Sequence, residues 1–417
     1  MRVIRVKLSN LRAMEAAEFH FKRGFNLIVG VNGVGKSSVL DALSLCLSAV
    51  VKHSNRLRTR LGAFTVDDIR VGAHALSVDC SVEIGTTEYS YLIHKPRQIS
   101  SPNEIKVGIP HEETYNTPEK SGFIGKAPAR ATGNESEGRS LAVLFSTNRA
   151  VPSERTPSKG VAAGGVEAAF GDALTSRELR LGEFAVWMRV QQTLKAESPT
   201  ADRVLTTFES AFERFLPGYS NLRLQPDDHP RLLIDHGSTT VAVRQLSDGE
   251  RGILALVLDL TRRLAQANPN MSDPAAQAEA VVLIDEIDLH LHPLWQRQIV
   301  RNLTTAFPRS QFIATTHSPQ VIGEVEHDRI QIIANGQVYS PTHSFGVDSS
   351  RVLEEIMEVD PRTSDIQELL SQISAEIGKL EFAHARTSLA RLVESLGEDD
   401  PEVTRVQTLL DFMEGNE

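Results

Sequence analysis

A glycine-rich turn at residues 30–37 constrains the fold of this chain more than any other feature. The apolar run 27–29 before it is typical of a short buried strand, and a helix-like pattern begins directly after it. Its spacing, Gly-x4-Gly-Lys-Ser, lets successive backbone N–H groups point inward at a helix N-terminus, where an anion is favoured. Gly30, Gly33 and Gly35 allow the tight backbone that this arrangement needs. The alternative is a chance glycine-rich turn, but the strand before it and the helix after it favour a phosphate-binding loop.

This loop predicts ATP and Mg²⁺ as cofactors. We expect the Lys36 ammonium to contact the β- and γ-phosphates and the Ser37 hydroxyl to bind Mg²⁺. The loop residues that we expect at the nucleotide are Gly30, Asn32, Gly33, Val34, Gly35, Lys36, Ser37 and Ser38.

A second strand-like run, residues 280–284, ends in two carboxylates. Beside a phosphate-binding loop, Asp285 is expected to hold Mg²⁺ together with Ser37, and Glu286 to orient and polarise the attacking water. His317 follows the next strand and is expected to donate a hydrogen bond towards the γ-phosphate. The alternatives are an acidic strand end without function and a structural histidine. The predicted catalytic residues are Glu286, His317 and Lys36, and the predicted metal ligands are Ser37 and Asp285.

Residues 246–250, Leu-Ser-Asp-Gly-Glu, precede a strongly apolar helix. Taken alone they form a capping box, in which Ser247 caps the helix and Glu250 completes the box three residues later. The same helix N-terminus is also a second anion site. Two such sites are explained if two chains pair head to tail and each lends Ser247 and Gly249 to the γ-phosphate held by the other. We therefore predict a homodimer with ATP between the subunits, or a higher homo-oligomer.

Changes in composition indicate the domain organisation. Residues 1–340 alternate strand-like and helix-like patterns, with a loop-rich insertion at 95–140 and a helical subdomain at 174–220. Residues 345–417 are helix-like and contain 17 acidic and 6 basic residues, against 37 and 38 in the rest of the chain. We expect an α/β head followed by an acidic helical module.

Composition restricts the compartment more than the function. No apolar run approaches the roughly 20 residues of a membrane span, and the two cysteines have no metal-ligand or redox spacing. We therefore expect a cytoplasmic protein with reduced thiols and no membrane contact. The formal net charge of −10 gives no support for nucleic-acid binding, although a local basic strip that contacts DNA or RNA is not excluded.

The order of these motifs resembles that of the ABC-type ATPase heads of the RecF/SMC/Rad50 and OLD-like group. The motifs are, in chain order, Asn10-Leu11-Arg12, Gly30 to Ser37, Leu246 to Glu250, Ile284-Asp285-Glu286, Asp288 and His317. Local features that resemble the compact ATPases of anti-phage Septu systems and related retron operons are Phe145-Ser-Thr-Asn-Arg149, Leu289-His-Leu-His-Pro293, Thr316-His-Ser-Pro319 and Asp348-Ser-Ser-Arg351. The resemblance implies a P-loop NTPase fold with a mixed β N-lobe, a parallel-sheet core, a helical insertion and a C-terminal helical bundle.

The resemblance also implies further site residues and partners. Arg12 is expected near the nucleotide and Asp288 at the dimer seam, while Ser247, Gly249 and Glu250 complete the nucleotide site from the partner chain. The implied function is an ATP-binding and ATP-hydrolysing dimeric switch of an anti-phage defence system. In the Septu-like case it controls a partner nuclease of HNH type.

The chain departs from the family pattern in three places. No glutamine marks the Mg²⁺-contacting loop between the lobes, because Gln98 lies in the wrong kind of stretch. Asp248-Gly249-Glu250 stands where transporters carry Gly-Gly-Gln, and residues 95–245 contain no long heptad repeat. No Toprim-like acid pattern follows the head, so we expect no intrinsic nuclease activity. The alternative hypotheses are a RecF-like DNA-repair or DNA-binding ATPase and a nucleotide-stabilised scaffold with little turnover.

Overall fold

The computed structural model describes residues 1–55, 57, 61–97, 119–128, 138–150, 166–179, 181–225, 231–357, 360 and 362–414. The chain divides into two compact units, Met1–Asp348 and Ser349–Glu417. Within the described ranges, no helix is long and apolar enough to cross a membrane. Gln98 and most of the stretch 95–140 lie outside the described residues.

A six-stranded sheet forms the centre of the first unit. Its strands, numbered with all others in chain order, are β3 (Phe25–Gly30), β7 (Leu141–Phe145), β11 (Ala280–Ile284), β12 (Ser310–Thr316), β13 (Ile330–Ala334) and β14 (Gln337–Tyr339). Their spatial order is β14-β13-β3-β12-β11-β7, and all neighbours are parallel except β13 and β14. β7, β11 and β12 are buried throughout, as expected for apolar strands covered on both faces. Parallel pairing brings the carboxyl ends of β3, β7, β11 and β12 to one edge.

An antiparallel sheet forms a second layer of the same unit. Its strands are β1 (Arg2–Leu11), β2 (Met14–His20), β4 (Ala75–Ile84), β5 (Thr87–Pro96) and β6 (Lys120–Ile124), in the order β2-β1-β4-β5-β6. β6 falls within the stretch that the sequence indicated to be loop-rich. It is an edge strand with one aromatic side chain, Phe123, whose ring centroid lies 5.1 Å from that of Tyr91. One such residue gives too little periodicity for a strand to be predicted.

Helices and a small sheet complete the first unit. The helices are α1 (Lys36–Asn55), α2 (Val166–Phe170), α3 (Leu181–Leu194), α4 (Pro199–Phe215), α5 (Asp248–Ala267), α6 (Pro274–Gln277), α7 (Pro293–Ala306) and α8 (Pro319–Ile322). The small sheet contains β8 (Tyr219–Gln225), β9 (Arg231–His236) and β10 (Thr239–Ala242). Between α3 and α4, the ring centroid of Phe208 lies 5.0 Å from that of Phe184 and 5.1 Å from that of Trp187. These aromatic side chains are therefore core residues.

The second unit is a helical bundle with its own core. Its helices are α9 (Ser349–Arg351), α10 (Ser364–Gly378), α11 (Phe382–Leu396) and α12 (Pro401–Glu414). The carboxylate of Asp400 accepts a hydrogen bond from the backbone N–H of Glu402 at 2.8 Å, which caps α12. The buried core residues are Leu369, Ile373, Ile377, Ala385, Leu389, Leu392, Val403, Val406 and Leu410.

The predicted fold class is confirmed. The chain is an α/β protein in which an antiparallel β layer accompanies a mainly parallel sheet, and β3 leads through a glycine-rich loop into α1. This arrangement places the phosphate-binding loop at the sheet edge where β11 and β12 also end.

Candidate nucleotide site

The phosphate-binding loop connects β3 to α1. A Cβ atom added to Gly30 would lie 2.7 Å from the carbonyl oxygen of Ile333, so the neighbouring strand leaves room for glycine alone. Gly33 and Gly35 have φ angles of +85° and +104°, which glycine adopts without steric strain. α1 begins at Lys36, directly after the loop. The loop therefore presents an open backbone at a helix N-terminus, which fits a phosphate group.

The ammonium of Lys36 lies against the same loop. It donates hydrogen bonds to the carbonyl oxygens of Gly30 at 2.8 Å and Val31 at 3.0 Å. Burial lowers the pKa of Lys36, and nearby carboxylates, with Glu286 and Asp285 foremost, oppose this shift. Phosphate oxygens are stronger acceptors than backbone carbonyls, so the ammonium can exchange its present partners for a nucleotide.

The predicted metal ligands are adjacent. Asp285 follows the last residue of β11, and its Oδ1 accepts hydrogen bonds from Ser37 Oγ at 3.2 Å and from Thr315 Oγ1 at 2.7 Å. No group of three or more His, Cys, Asp or Glu side chains that could hold a metal occurs in the part of the chain that the structure describes. Two oxygen ligands fit Mg²⁺, which usually keeps several waters and takes its remaining ligands from the phosphates.

Glu286 has an unusual backbone conformation. Its φ angle is +47°, in the left-handed region that non-glycine residues rarely adopt. Its backbone N–H donates to Thr315 Oγ1 at 2.7 Å, which fixes one side of the residue. None of the side chains that the structure describes donates a hydrogen bond to the Glu286 carboxylate, which is therefore available to a water molecule.

Asp288 and His317 lie next to this acidic turn. Asp288 Oδ1 accepts a hydrogen bond from Thr316 Oγ1 at 2.5 Å. Burial lowers the pKa of the half-buried His317, and the charge of Lys36 acts in the same direction, against the opposing effect of the carboxylates. These surroundings favour the neutral imidazole of His317, which has one N–H to donate.

Arg12 lies at the first turns of α1 rather than at the glycine loop. Its guanidinium donates to Ser38 Oγ at 3.2 Å, to Asp41 at 2.7 Å and to Asp68 at 2.9 Å. Burial by itself lowers the pKa of Arg12, but the two carboxylates outweigh it and raise the pKa above its usual value. The side chain is thus held beside the loop by α1 and by the segment around Asp68.

The segment 246–250 forms a separate group. Ser247 caps α5: its hydroxyl accepts a hydrogen bond from the Glu250 N–H at 3.3 Å, and the Ser247 N–H donates to the Glu250 carboxylate at 2.9 Å. A Cβ atom on Gly249 would lie 2.2 Å from the carbonyl oxygen of His290, so α5 begins in close contact with the loop after the acidic turn. Across the described ranges, no hydrogen bond or ion pair joins Ser247 or Glu250 to the phosphate-binding loop.

The sequence did not identify Arg149 as a site residue. Arg149 follows β7, is 3% exposed and donates to the carbonyl oxygens of Ser146 at 3.0 Å, Glu286 at 2.6 Å and Asp285 at 2.5 Å. Burial lowers the pKa of Arg149 to about 10, against the opposing charge of the carboxylates in the acidic turn. The one sequence signal for Arg149 was its place in the stretch Phe145 to Arg149, which resembles a stretch of the Septu and retron ATPases.

Comparisons with known proteins identify relatives of this chain. Two family models match, "AAA domain" over residues 5–127 and "AAA domain, putative AbiEii toxin, Type IV TA system" over residues 178–323. The "Retron Ec83 probable ATPase" of Escherichia coli is 30% identical over 96% of this chain and 85% of that protein. The "Septu protein PtuA" of Bacillus mycoides is 37% identical over 30% of this chain and 14% of that protein.

Among solved structures, the SMC head domain from Thermotoga maritima is similar, with a TM-score of 0.44 and 15% identity over 82% of this chain and 98% of that one. A stretch of 43 residues is also 49% identical to the Rad50 ATPase of Methanopyrus kandleri, over 10% of this chain and 5% of that protein. The family assignment rests on the sequence relatives. Because the alignment with the Escherichia coli protein extends over most of both chains, this chain belongs to the family of the retron ATPases.

Proposed function

We propose that this chain binds ATP with Mg²⁺ and hydrolyses it, as the ATPase of an anti-phage defence system. One observation carries the proposal: one edge of the parallel sheet brings together Lys36, the Ser37–Asp285 pair and Glu286. None of the described side chains donates a hydrogen bond to the Glu286 carboxylate. The names of the retron and Septu relatives support the assignment to defence.

Each site residue has a distinct task in this proposal. Bound ATP would supply the phosphoanhydride bond that is hydrolysed, and Mg²⁺ held by Ser37 and Asp285 would supply positive charge against the phosphates. Lys36 leaves the loop carbonyls and binds the β- and γ-phosphates, while Ser37 and Asp285 hold the metal. Glu286 orients a water molecule and accepts its proton, and neutral His317 donates a hydrogen bond towards the γ-phosphate.

The second half of the site comes, in this proposal, from another copy of the chain. Ser247 and Gly249 lie at the N-terminus of α5, where an anion is favoured, yet no described contact joins them to the phosphate-binding loop of their own chain. A head-to-tail pair resolves this separation, because each loop then faces the Ser247 helix of its partner. ATP holds such a pair together until it is hydrolysed, which makes the dimer a switch.

The proposal includes a partner nuclease of HNH type, whose activity depends on the ATP state of the dimer. Its test is co-purification with the product of the neighbouring gene, with and without ATP and with the Lys36→Ala variant. Recovery of a nuclease that depends on ATP supports this part of the proposal. Equal recovery from wild type with and without ATP, or equal recovery from wild type and Lys36→Ala in the presence of ATP, contradicts a nucleotide-controlled association.

Two substitutions test the ATPase itself. Lys36→Ala should abolish ATP binding, whereas Glu286→Gln should retain ATP, slow turnover by about 100-fold or more and trap a stable dimer. Glu279→Gln is a matched control, because Glu279 precedes β11 at the opposite end of the same strand and pairs with Arg309. Fluorescent-nucleotide binding, phosphate release and size-exclusion chromatography with light scattering measure the three effects. Unchanged turnover in both Lys36→Ala and Glu286→Gln would overturn the proposal and favour a scaffold.

A further inference from the structure

Arg149 contacts the backbone of the turn that carries Glu286. One of its terminal nitrogens donates to the carbonyl oxygen of Glu286 at 2.6 Å, and the other donates to those of Asp285 at 2.5 Å and Ser146 at 3.0 Å. The backbone N–H of Asp285 donates to the carbonyl oxygen of Phe145 at 2.8 Å. The end of β7 and the residues after it thus bind the acidic turn in two ways: they accept from its backbone N–H at Asp285 and donate to its carbonyl oxygens at Asp285 and Glu286.

This contact falls where the backbone is strained. A left-handed conformation is unfavourable for a non-glycine residue and persists only where the surroundings enforce it. Thr315 fixes the N–H of Glu286, and Arg149 fixes its carbonyl group and that of the preceding residue. Together these bonds hold both peptide groups that flank the Glu286 Cα atom, and so set the direction of its side chain.

The burial of the Arg149 guanidinium is not explained by an ion pair. None of the described carboxylates lies within ion-pair distance of its guanidinium, although the residue is 3% exposed. Burying a cation is unfavourable, and its interactions must recover that free energy. Here they are backbone hydrogen bonds, reinforced at longer range by the negative charge of Asp285, Glu286 and Asp288.

We infer that Arg149 is a positioning residue of the ATPase reaction, which holds the Glu286 carboxylate in the direction needed to orient the attacking water. The inference rests on the proposed hydrolytic role of Glu286. Arg149 makes no described hydrogen bond to Lys36 or the glycine loop, and it contacts the proposed metal ligand Asp285 only at its carbonyl group, so its effect should fall on turnover and leave ATP affinity intact. Its planar fork suits two acceptors at fixed directions, which a lysine ammonium cannot reproduce.

The test compares Arg149→Lys with Arg263→Lys. Arg263 is the control, because it is 2% exposed and donates to the carbonyl oxygens of Ala169 at 2.6 Å and Gly171 at 2.9 Å, away from the acidic turn. It differs from Arg149 in that it also pairs with the buried Asp259 at 2.9 Å. We expect Arg149→Lys to lower kcat by about 10- to 100-fold, with ATP affinity within about threefold of wild type. It should also accumulate an ATP-bound dimer, as Glu286→Gln does. Arg263→Lys should lower the melting temperature alone and leave kcat per folded molecule within about twofold of wild type.

A double-mutant cycle separates this role from a merely structural one. If Arg149 acts through Glu286, Arg149→Lys in the Glu286→Gln background should slow turnover no further. An equal additional loss in that background would overturn the inference, as would parallel losses of kcat and ATP affinity in the single variant. Wild-type kcat in folded Arg149→Lys would also overturn it. Should Arg149→Lys fail to fold, Arg149→Gln, which buries no charge, takes its place with the same expectations.

The same measurements separate a failure of the proposed function from a failure of the inference about Arg149. If Glu286→Gln hydrolyses ATP at the wild-type rate, the proposed function fails and the role of Arg149 fails with it. If Glu286→Gln is inactive and Arg149→Lys is fully active, the inference alone fails and the proposed function stands.

Discussion

At the scale of single residues, Ser37 and Ser38 are neighbours in the first turn of α1 with different partners. The hydroxyl of Ser37 donates to Asp285 at 3.2 Å, whereas that of Ser38 accepts from Arg12 at 3.2 Å. Only Ser37 is therefore placed to share a metal ion with Asp285. We expect Ser37→Ala to raise the Mg²⁺ concentration for half-maximal ATPase activity by about tenfold or more, because one of few protein ligands is lost.

Ser38→Ala is the matched control for this prediction. It removes a hydroxyl of the same kind, one position further along the helix, and should shift the Mg²⁺ requirement by less than about twofold. The measurement is a Mg²⁺ titration of phosphate release at saturating ATP, with ATP binding in EDTA as a second readout that Ser37→Ala should leave unchanged. Equal Mg²⁺ requirements in the two variants would contradict the assignment of Ser37 as a ligand.

One residue of the candidate site, Glu286, has a strained backbone. Eight non-glycine residues among those described have positive φ angles, and Glu286 is the one that belongs to the acidic turn after β11. Such conformations are unfavourable and occur where the surrounding structure enforces them. The strained conformation of Glu286 therefore coincides with the acidic turn that the motifs indicated, and the sequence gives no sign of this strain.

At the scale of elements, the N-terminus of α5 depends on Gly249. A Cβ atom there would lie 2.2 Å from the carbonyl oxygen of His290, so the helix or the loop after Glu286 must move. Gly252 is one turn later in the same helix, and its nearest atom would be 3.7 Å away, an ordinary contact. We expect Gly249→Ala to reduce ATPase activity and ATP-dependent dimerisation by about tenfold, because the two loops lose their relative position.

Gly252→Ala should instead be neutral or stabilising by about 0.5–1 kcal/mol, as expected for alanine in a helix interior. Phosphate release, light scattering with ATP and thermal unfolding compare the two variants. ATP binding by Gly249→Ala should persist, since Lys36 and the glycine loop are untouched. Loss of ATP binding in Gly249→Ala, or equal behaviour of the two alanine variants, would contradict this account of α5.

The elements differ in how far a sequence reveals them. The phosphate-binding loop, β11 and the capping box of α5 depend on neighbours within a few residues, and their patterns identified them. β6 was not predicted, because an edge strand with one packed aromatic residue shows no hydrophobic periodicity in the sequence. Arg149 did not either, because its partners are backbone carbonyls 136 and 137 residues away and impose no side-chain pattern. Contacts with the backbone of residues that are distant in the chain therefore cannot be predicted from the sequence pattern.

At the scale of the whole molecule, the residues of the proposed site form two groups, which contact each other at Gly249 and His290 but share no described hydrogen bond at the phosphate-binding loop. Lys36, Asp285, Glu286 and His317 share one edge of the sheet, while Ser247 begins a helix with no described bond to the phosphate-binding loop. If the two groups belong to one functional site, it is assembled from two chains. A variant that lacks one group and a variant that lacks the other should then complement each other in a mixed dimer.

Lys36→Ala and Ser247→Arg make this complementation measurable. Each variant alone should be inactive, because every site in its dimers carries the same defect. In a mixed dimer one site combines the intact loop of the Ser247→Arg chain with the intact Ser247 of the Lys36→Ala chain. Random pairing of equal amounts makes half of the dimers mixed, each with one complete site of two, so phosphate release should recover to about a quarter of the wild-type rate. If the whole site lies within one chain, phosphate release should not recover at any mixing ratio. That result would contradict the head-to-tail dimer.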